Sequence, residues 1–283
     1  REGKFNCTNV CGTCLAKDLS VVNTKYAALY LETQAKKHVS YVGNPKLMNN
    51  IFAEIPIVLP PLPEQKKIAE ILSGIDKLKK YCEKLKHKLL NYKSSLFEYI
   101  FDPDEISKNN YFKKGKFSDL IILKRGFDLP VQDRIKGKIP IYGSNGITSY
   151  HNKSTQNYPG IVTGRSGSIG KVYISKEPFW ALNTTLYSEK VFDNDIRYVY
   201  YFLQWFNLAK FSTGTGVPTL NRNNLHIQNI NIPSISYQRN SAKVLSELDN
   251  RISKLELKIV KLDILRKGIS SDLISGRKRV TIK

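Results

Sequence analysis

The chain has 283 residues, enough for one large or two small domains with their own cores. Its 45 Lys and Arg outnumber 24 Asp and Glu, and the resulting charge of +21 points to a polyanionic partner: DNA, RNA or an acidic membrane surface. No apolar run reaches the about 18 residues of a membrane span and no signal or lipidation motif is visible, so the chain reads as cytoplasmic, with a leader ahead of Arg1, which is not an initiator, left open.

Residues 1–24 are short and turn-rich. Cys7, Cys11 and Cys14 match the C-x-x-x-C-x-x-C spacing with which thiolates can hold an iron–sulfur cluster, and small buried thiols are the plainer reading. Residues 25–37 carry apolar positions at helical spacing. Pro60, Pro61 and Pro63 then stop any incoming element and open a long helix that ends before Asp102-Pro103. Along it Ile68, Ile71, Ile75, Leu78, Cys82, Leu85, Leu89, Tyr92, Leu96 and Tyr99 recur at alternating steps of three and four. Such a helix is roughly 55 Å long, too long for an ordinary core, and calls for a partner helix.

Residues 104–237 read as a domain of short strands, at 121–123, 139–142, 160–163, 171–174 and 227–232, with one helix near 195–209. Between them lie turns at Lys136-Gly137, Gly143-Ser144-Asn145-Gly146, Arg165-Ser166-Gly167-Ser168 and Thr213-Gly214-Thr215-Gly216. The stretch from Gly164 to Lys171 resembles a phosphate loop, but its first glycine is displaced, Val172 stands where Ser or Thr is needed, and a strand follows in place of a helix. A glycine-rich loop that lets backbone approach a DNA phosphate, or an ordinary hairpin turn, fits better.

A second seam runs through Leu245, Leu248, Ile252, Leu255, Ile259, Leu262, Ile269 and Leu273. It belongs to an internal repeat: a shift of 173 residues lays 47–65 on 220–238 without a gap, pairing Pro60 with Pro233 and Gln65 with Gln238, and continues to Asp76 with Asp249 and Leu89 with Leu262. Residues 25–37 align with 197–209 after a one-residue slip. The last residues, Gly276-Arg277-Lys278-Arg279, look frayed and basic.

The repeated strand–proline–Gln–helix unit, P-L-P-E-Q-K-K-I-A-E-I-L-S-G-I-D and its weaker copy S-Y-Q-R-N-S-A-K-V-L-S-E-L-D, resembles the spacer regions of type I restriction-modification specificity subunits. The resemblance implies an α+β fold: mixed α/β target-recognition domains joined by two long helices that pack as an antiparallel coiled coil, with an internal pseudo-twofold repeat. It divides the chain into a partial first recognition domain (1–63), a central spacer helix (64–103), a complete second recognition domain (104–237) and a C-terminal spacer helix with a basic tail (238–283). The counterpart of 111–174 does not precede Arg1, and a fragment and a naturally shortened subunit both fit. The family reading implies a subunit without catalysis or cofactor of its own. Each recognition domain reads one half of a split DNA target, two methyltransferase subunits dock on the helices, and a restriction or motor subunit is left open. An iron–sulfur radical enzyme built on Cys7, Cys11 and Cys14, or a coiled-coil scaffold binding nucleic acid without sequence preference, are the alternatives.

Base edges are read by Arg, Asn, Gln, Ser and Thr, and phosphates are held by Lys and Arg. Expected DNA contacts are therefore Lys124, Arg125, Ser144, Asn145, Arg165, Ser166, Lys171, Asn183, Thr184, Thr213, Thr215 and Arg222, flanked by Tyr142, Tyr150 and Trp180. Lys66, Lys67, Glu70, Lys77 and Lys84 form the expected partner face of the first long helix, with a merely solvated surface as the alternative. His38, His87, His151 and His226 are scattered, and no methyltransferase base-gripping motif or clustered acidic cleavage motif is visible.

Overall fold

The computed structural model describes residues 13–108, 112–157, 159–214 and 218–281. In chain order the elements are α1 (Thr24–Gln34), α2 (Asn49–Ala53), α3 (Leu62–Phe101), α4 (Pro103–Lys108), β1 (Phe112–Lys116), α5 (Phe117–Leu120), β2 (Ile122–Arg125), β3 (Ile139–Gly143), β4 (Gly146–His151) and β5 (Gly160–Gly164). They continue as β6 (Val172–Ser175), β7 (Trp180–Ala181), β8 (Thr185–Lys190), α6 (Ile196–Trp205), β9 (Ser212–Thr213), β10 (Thr219–Leu220), α7 (Arg222–His226), β11 (Asn229–Pro233) and α8 (Ile235–Ile274). Contacts divide the chain into two compact units, residues 1–87 with 254–283 and residues 88–253. No helix among the described residues is long and apolar enough to cross a membrane.

The long helices α3 and α8 have 40 residues each and pair antiparallel. In the first unit Arg266 Nε bonds Asp76 Oδ1 at 2.6 Å, Lys79 meets Asp263 at 2.7 Å and Lys86 meets Glu256 at 3.7 Å. In the second unit Lys93 meets Asp249 at 2.6 Å. The two residue numbers of every pair add to the same total, as an antiparallel register requires. The repeat maps Asp76 onto Asp249 and Lys93 onto Arg266, so Arg266–Asp76 and Lys93–Asp249 are one pair made twice with the helices exchanged.

This register corrects the expected seam of α3. Leu78, Tyr92 and Tyr99 are exposed, and the inward face runs through Ile68, Leu72, Cys82 and Ile100. Lys79, Lys86 and Lys93 occupy the intervening inward positions, because a lysine can lay its alkyl stem along an apolar seam and deliver its ammonium to a carboxylate on the facing helix. The seam of α8 agrees with expectation, with Leu245, Leu248, Ile252 and Leu262 all buried. Lys93 also lies over the rings of Phe97 and Tyr201, at 5.2 and 5.4 Å, and the Tyr201 hydroxyl donates to Asp249 at 2.9 Å. Lys93→Ala and Asp249→Ala are each expected to lower stability by about 1–3 kcal/mol, with a coupling of about 1 kcal/mol in a double-mutant cycle followed by urea unfolding.

The glutamines shared by the repeats explain why the proline–Gln spacing recurs. Gln65, 1% exposed, accepts the Asn23 backbone N–H at 2.8 Å and donates through Nε2 to the carbonyls of Pro60 at 2.8 Å and Val21 at 2.9 Å. Gln238, 2% exposed, accepts the Asp195 N–H at 2.9 Å and donates to the Pro233 carbonyl at 2.9 Å and to Asn194 Oδ1 at 2.8 Å. Asn23 and Asp195 are the N-caps of α1 and α6. One amide in each unit thus ties the start of a long helix to the start of the shorter helix beside it, α1 or α6.

The first unit has a small core of Tyr26, Tyr30, Ile68, Leu72 and Ile274. Its basic tail is pinned, which corrects the frayed end expected from composition. Lys278 meets Asp272 at 2.9 Å, and Arg279 Nε meets the buried carboxylate of Glu64 at 2.8 Å. That guanidinium holds the Glu64 carboxyl below its ordinary range.

The second unit holds the larger core, where Phe101, Phe117, Leu120, Ile121, Leu123, Ile161, Leu186, Tyr198, Val199, Phe202 and Leu245 converge. Its sheets are mixed and mostly antiparallel: a four-stranded sheet in the order β2-β8-β5-β6, a three-stranded sheet β4-β3-β7 and the pairs β1-β11 and β9-β10, with only β3-β7 parallel among the named pairs. The strands at 122–125, 139–143, 160–164 and 172–175 fall where the apolar runs placed them. β8 carries no alternation in sequence because it lies in the middle of its sheet, and its residues Thr185–Ser188 are all buried.

Candidate nucleic-acid interface

Strand register brings most of the expected recognition residues to one end of the four-stranded sheet. Gly164, at the end of β5, faces Thr185 at the start of β8, and Arg125 at the end of β2 faces Leu186. The turns beyond these ends are interlocked. The backbone N–H groups of Arg165 and Ser166 both donate to the Thr184 carbonyl, at 2.8 and 3.2 Å, and Leu220 N–H donates to the Arg165 carbonyl at 2.7 Å. Ser166 bridges to Thr219, which in turn pairs with Thr213.

The β3–β4 turn lies against the same loop. A Cβ on Gly167, whose φ is +79°, would sit 3.3 Å from Ser144 Oγ, and one on Gly164 would strike the Ser168 carbonyl at 2.1 Å. Glycine is therefore obligatory at 164, and the close approach places Ser144 beside the Arg165 loop. Lys171 Nζ donates to Asn145 Oδ1 at 3.0 Å and fastens the other side of that turn. Ser144, Asn145, Arg165, Ser166, Lys171, Asn183, Thr184 and Thr213 thus form one cluster; Thr215 lies outside the described residues.

Arg165 is fixed through both backbone groups, while its guanidinium makes no hydrogen bond or ion pair with a described residue. The other cations differ. Lys124 is ion-paired to Glu189, and that hydrogen bond raises its pKa. Arg125 stands 3.9 Å from the Asp128 carboxylate, which also accepts from the Asn183 side-chain amide. Asp128 joins Arg125 to the cluster, and no motif in the sequence marks it. Arg222 opens α7, where Asn221 caps the helix by accepting the Asn223 N–H.

Of the flanking aromatics, Tyr142 belongs to the core with Phe179, Trp180 packs edge-on against His151 and Phe127, and Tyr150 is 54% exposed. Phe127, 45% exposed and stacked on Tyr187, is an aromatic at this sheet end that spacing did not indicate. The expected partner residues Lys66, Lys67, Glu70, Lys77 and Lys84 all lie exposed on α3, where Lys67 and Glu70 pair at 2.9 Å.

His226 is bonded to β2, which ends at Arg125. Its Nε2 accepts the Leu123 N–H at 3.0 Å, which requires the neutral ring. Burial, and then the nearby Arg222 charge, push its pKa below the ordinary value. A group whose folded pKa lies below its unfolded pKa contributes stability at higher pH that is lost as pH falls below about 6.5. The melting temperature is therefore expected to decline through that range, and His226→Gln, tested by thermal melts across pH, should flatten the decline.

Among the described residues no group of three or more His, Cys, Asp or Glu is placed to hold a metal. Cys7 and Cys11 lie outside the described residues, Cys14 is exposed and Cys82 is buried on the α3 seam.

Comparison with known proteins agrees with this architecture. Over 79 residues, 28% of this chain and 33% of the relative, the identity to type I specificity subunit S.MpnORF201P of Mycoplasma pneumoniae is 42%. The chain thus matches only about a third of the length of that relative. A second M. pneumoniae protein, S.MpnORF89P, is 24% identical over 268 residues, covering 88% of this chain and 79% of its own. The crystal structure of a type I restriction-modification S subunit from M. genitalium superposes with a TM-score of 0.68 at 17% identity, over 94% of this chain and 75% of that one, a likeness of fold. A family model described as the type I restriction modification DNA specificity domain matches residues 1–91 and 109–262. That match takes in the cysteine stretch and both copies of the repeat, gives no support to the iron–sulfur reading, and places the chain in the type I restriction-modification DNA specificity family.

Proposed function

We propose that the chain is a DNA-recognition subunit of a type I restriction-modification complex, in which it reads sequence and leaves methyl transfer and cleavage to partner subunits. The observation that carries this reading is the cluster at the end of the β2-β8-β5-β6 sheet. There a backbone-fixed, glycine-flanked Arg165 carries an uncommitted guanidinium beside Ser144, Asn145 and Asn183, the side-chain types that read base edges. In this proposal the recognition domain is 104–237, with residues 1–63 belonging to another, and the spacer helices set the separation of two half-sites. The subunit acts in the cytoplasm, where its DNA lies.

Two methyltransferase subunits are proposed to dock on the helix pair. The exposed face of α3 that bears Lys77 and Lys84 also bears Leu78 and Tyr81, 41% and 64% exposed, and apolar side chains set among charges suit an interface better than a solvated face. The test is a selection from randomised duplexes at two salt concentrations, with the native mass of the chain co-expressed with a methyltransferase subunit of its family. A sequence preference that persists while total affinity falls with salt is expected. Binding with no preference would instead support the non-specific scaffold, and a complex without bound methyltransferase would remove the docking face.

A further inference from the structure

The internal repeat provides a comparison within the chain itself. In the second unit, the place where the end of α6 meets the end of α3 is filled with rings. Phe101 lies 5.7 Å from both Phe97 and Trp205, and Trp205 Nε1 donates to Glu98. In the first unit the corresponding place, where the end of α1 meets the end of α8, is a cavity of about 430 Å³. Thr33 replaces Trp205, Ser270 replaces Phe97, Ser271 replaces Glu98, and Lys36 and Lys37 replace Leu208 and Ala209. The first unit has lost the aromatic filling and gained cations.

Lys36, Lys37, Arg266 and Lys267 all line this cavity. Glu32 also lines it, but its carboxylate is held by Arg266 at 2.9 Å. The C-terminal ends of α1 and α8 bring partial negative charge to the same space, about half a charge each. Arg266 is also held by Asp76 at 2.6 Å, so four cations against two carboxylates and two helix ends leave the cavity about one charge positive, carried by Lys36, Lys37 and Lys267. Ser275 Oγ donates to the Ser271 carbonyl at 2.6 Å, which occupies one exposed acceptor at the end of α8.

Ser270 is 4% exposed and lines the cavity, and its hydroxyl makes no hydrogen bond with a described residue, so its remaining accessible surface leaves it open to a partner in that space. An uncommitted hydroxyl on a cavity wall can donate to a bound acceptor. Hydroxyl donors surrounded by Lys and Arg match the acceptor-rich, anionic oxygens of a phosphate.

We propose that this cavity is a binding site for a phosphate group. The phosphate comes from a DNA backbone or from a small phosphate-bearing molecule, and the recognition surface of the second unit is not involved. The full chain is titrated with inorganic phosphate against chloride at matched ionic strength, and the phosphorus NMR line is followed. Saturable broadening is expected. Ser270→Phe, which installs the ring present in the other copy, should abolish it, and Lys37→Gln with Lys267→Gln should weaken binding about tenfold, the loss typical of a charge-assisted hydrogen bond. Lys113→Gln, at an exposed lysine of the second unit, should leave it unchanged. A duplex that displaces the phosphate, with an affinity lowered by Ser270→Phe, identifies the DNA backbone as the source; a duplex that leaves the line unchanged identifies a small molecule. Absence of saturable broadening, or broadening that saturates at the parent's phosphate concentration in the Lys37/Lys267 double variant, overturns the proposal, and that variant decides the matter if Ser270→Phe does not fold. None of these outcomes bears on the sequence preference carried by Arg165.

Discussion

Gln238→Ala is expected to destabilise the second unit by about 3–5 kcal/mol, more than any exposed substitution on the long helices. The side chain is 2% exposed and satisfies three groups at once: the Asp195 N–H, the Pro233 carbonyl and the Asn194 side chain. Truncation leaves a donor and two acceptors buried beside a cavity, at about 1–3 kcal/mol for each unsatisfied group, partly relieved where water enters. Asp195 is also the N-cap of α6, accepting from the Arg197 and Tyr198 N–H groups, so loosening it frays the helix that carries Tyr198, Val199 and Phe202 into the core. Gln65→Ala should act in the same way on the first unit through Asn23, with a smaller effect because that core is smaller. Urea unfolding followed by circular dichroism, with hydrogen exchange at α1 and α6, separates the two. Unchanged protection of α6 in Gln238→Ala would show that the amide does not hold the helix start.

The repeat, the two long helices and the strands β2, β3, β5, β6 and β11 were legible in the sequence, because period, proline placement and β-branched runs are local signals, whereas β4 and β8 were not. The face of α3 was only partly legible. A period of three and four is satisfied equally by Ile71, Leu78 and Leu85 or by Leu72, Lys79 and Lys86, and an apolar count favours the first set. What decides for the second is the acid on the opposite helix, Asp263 or Glu256, which is remote in sequence. The tail gave the same difficulty, since a basic run reads as frayed unless the buried acid it reaches, Glu64, is known.

At the candidate interface the residue types were legible and their engagement was not. Lys124 and Arg165 look alike as basic residues near turns, but register sets Lys124 beside Glu189, whereas no described carboxylate meets Arg165. Asp128 and Phe127 were not singled out because neither belongs to a pattern; they gain a role from the fold of 126–128 back onto the start of β8. Gly126 N–H donates to the Thr185 carbonyl and Phe127 N–H to the Ala181 carbonyl, which delivers Asp128 to Asn183.

Arg165→Ala is expected to relax selectivity at one base position and to cost about 1–3 kcal/mol against the preferred sequence, while Lys171→Ala weakens all sequences alike. The difference follows from how each group is held. Arg165 has both backbone groups bonded, to Thr184 and Leu220, so the origin of its side chain is fixed, and its guanidinium is the uncommitted fork that can pair bidentately with guanine. Lys171 is an exposed point charge whose one bond, to Asn145, holds the neighbouring turn. As a phosphate contact it should lower the slope of log affinity against log salt by about one unit when removed. Arg165→Lys separates charge from geometry: it keeps the cation but not the fork, so it should recover the salt dependence and not the preference. The measurement is a randomised-duplex selection on the parent and all three variants at two salt concentrations. If Arg165→Ala lowers affinity evenly and returns the parent's preferred sequence, Arg165 positions the backbone, and base reading at this edge passes to Asn183 and Arg125, the pair joined through Asp128.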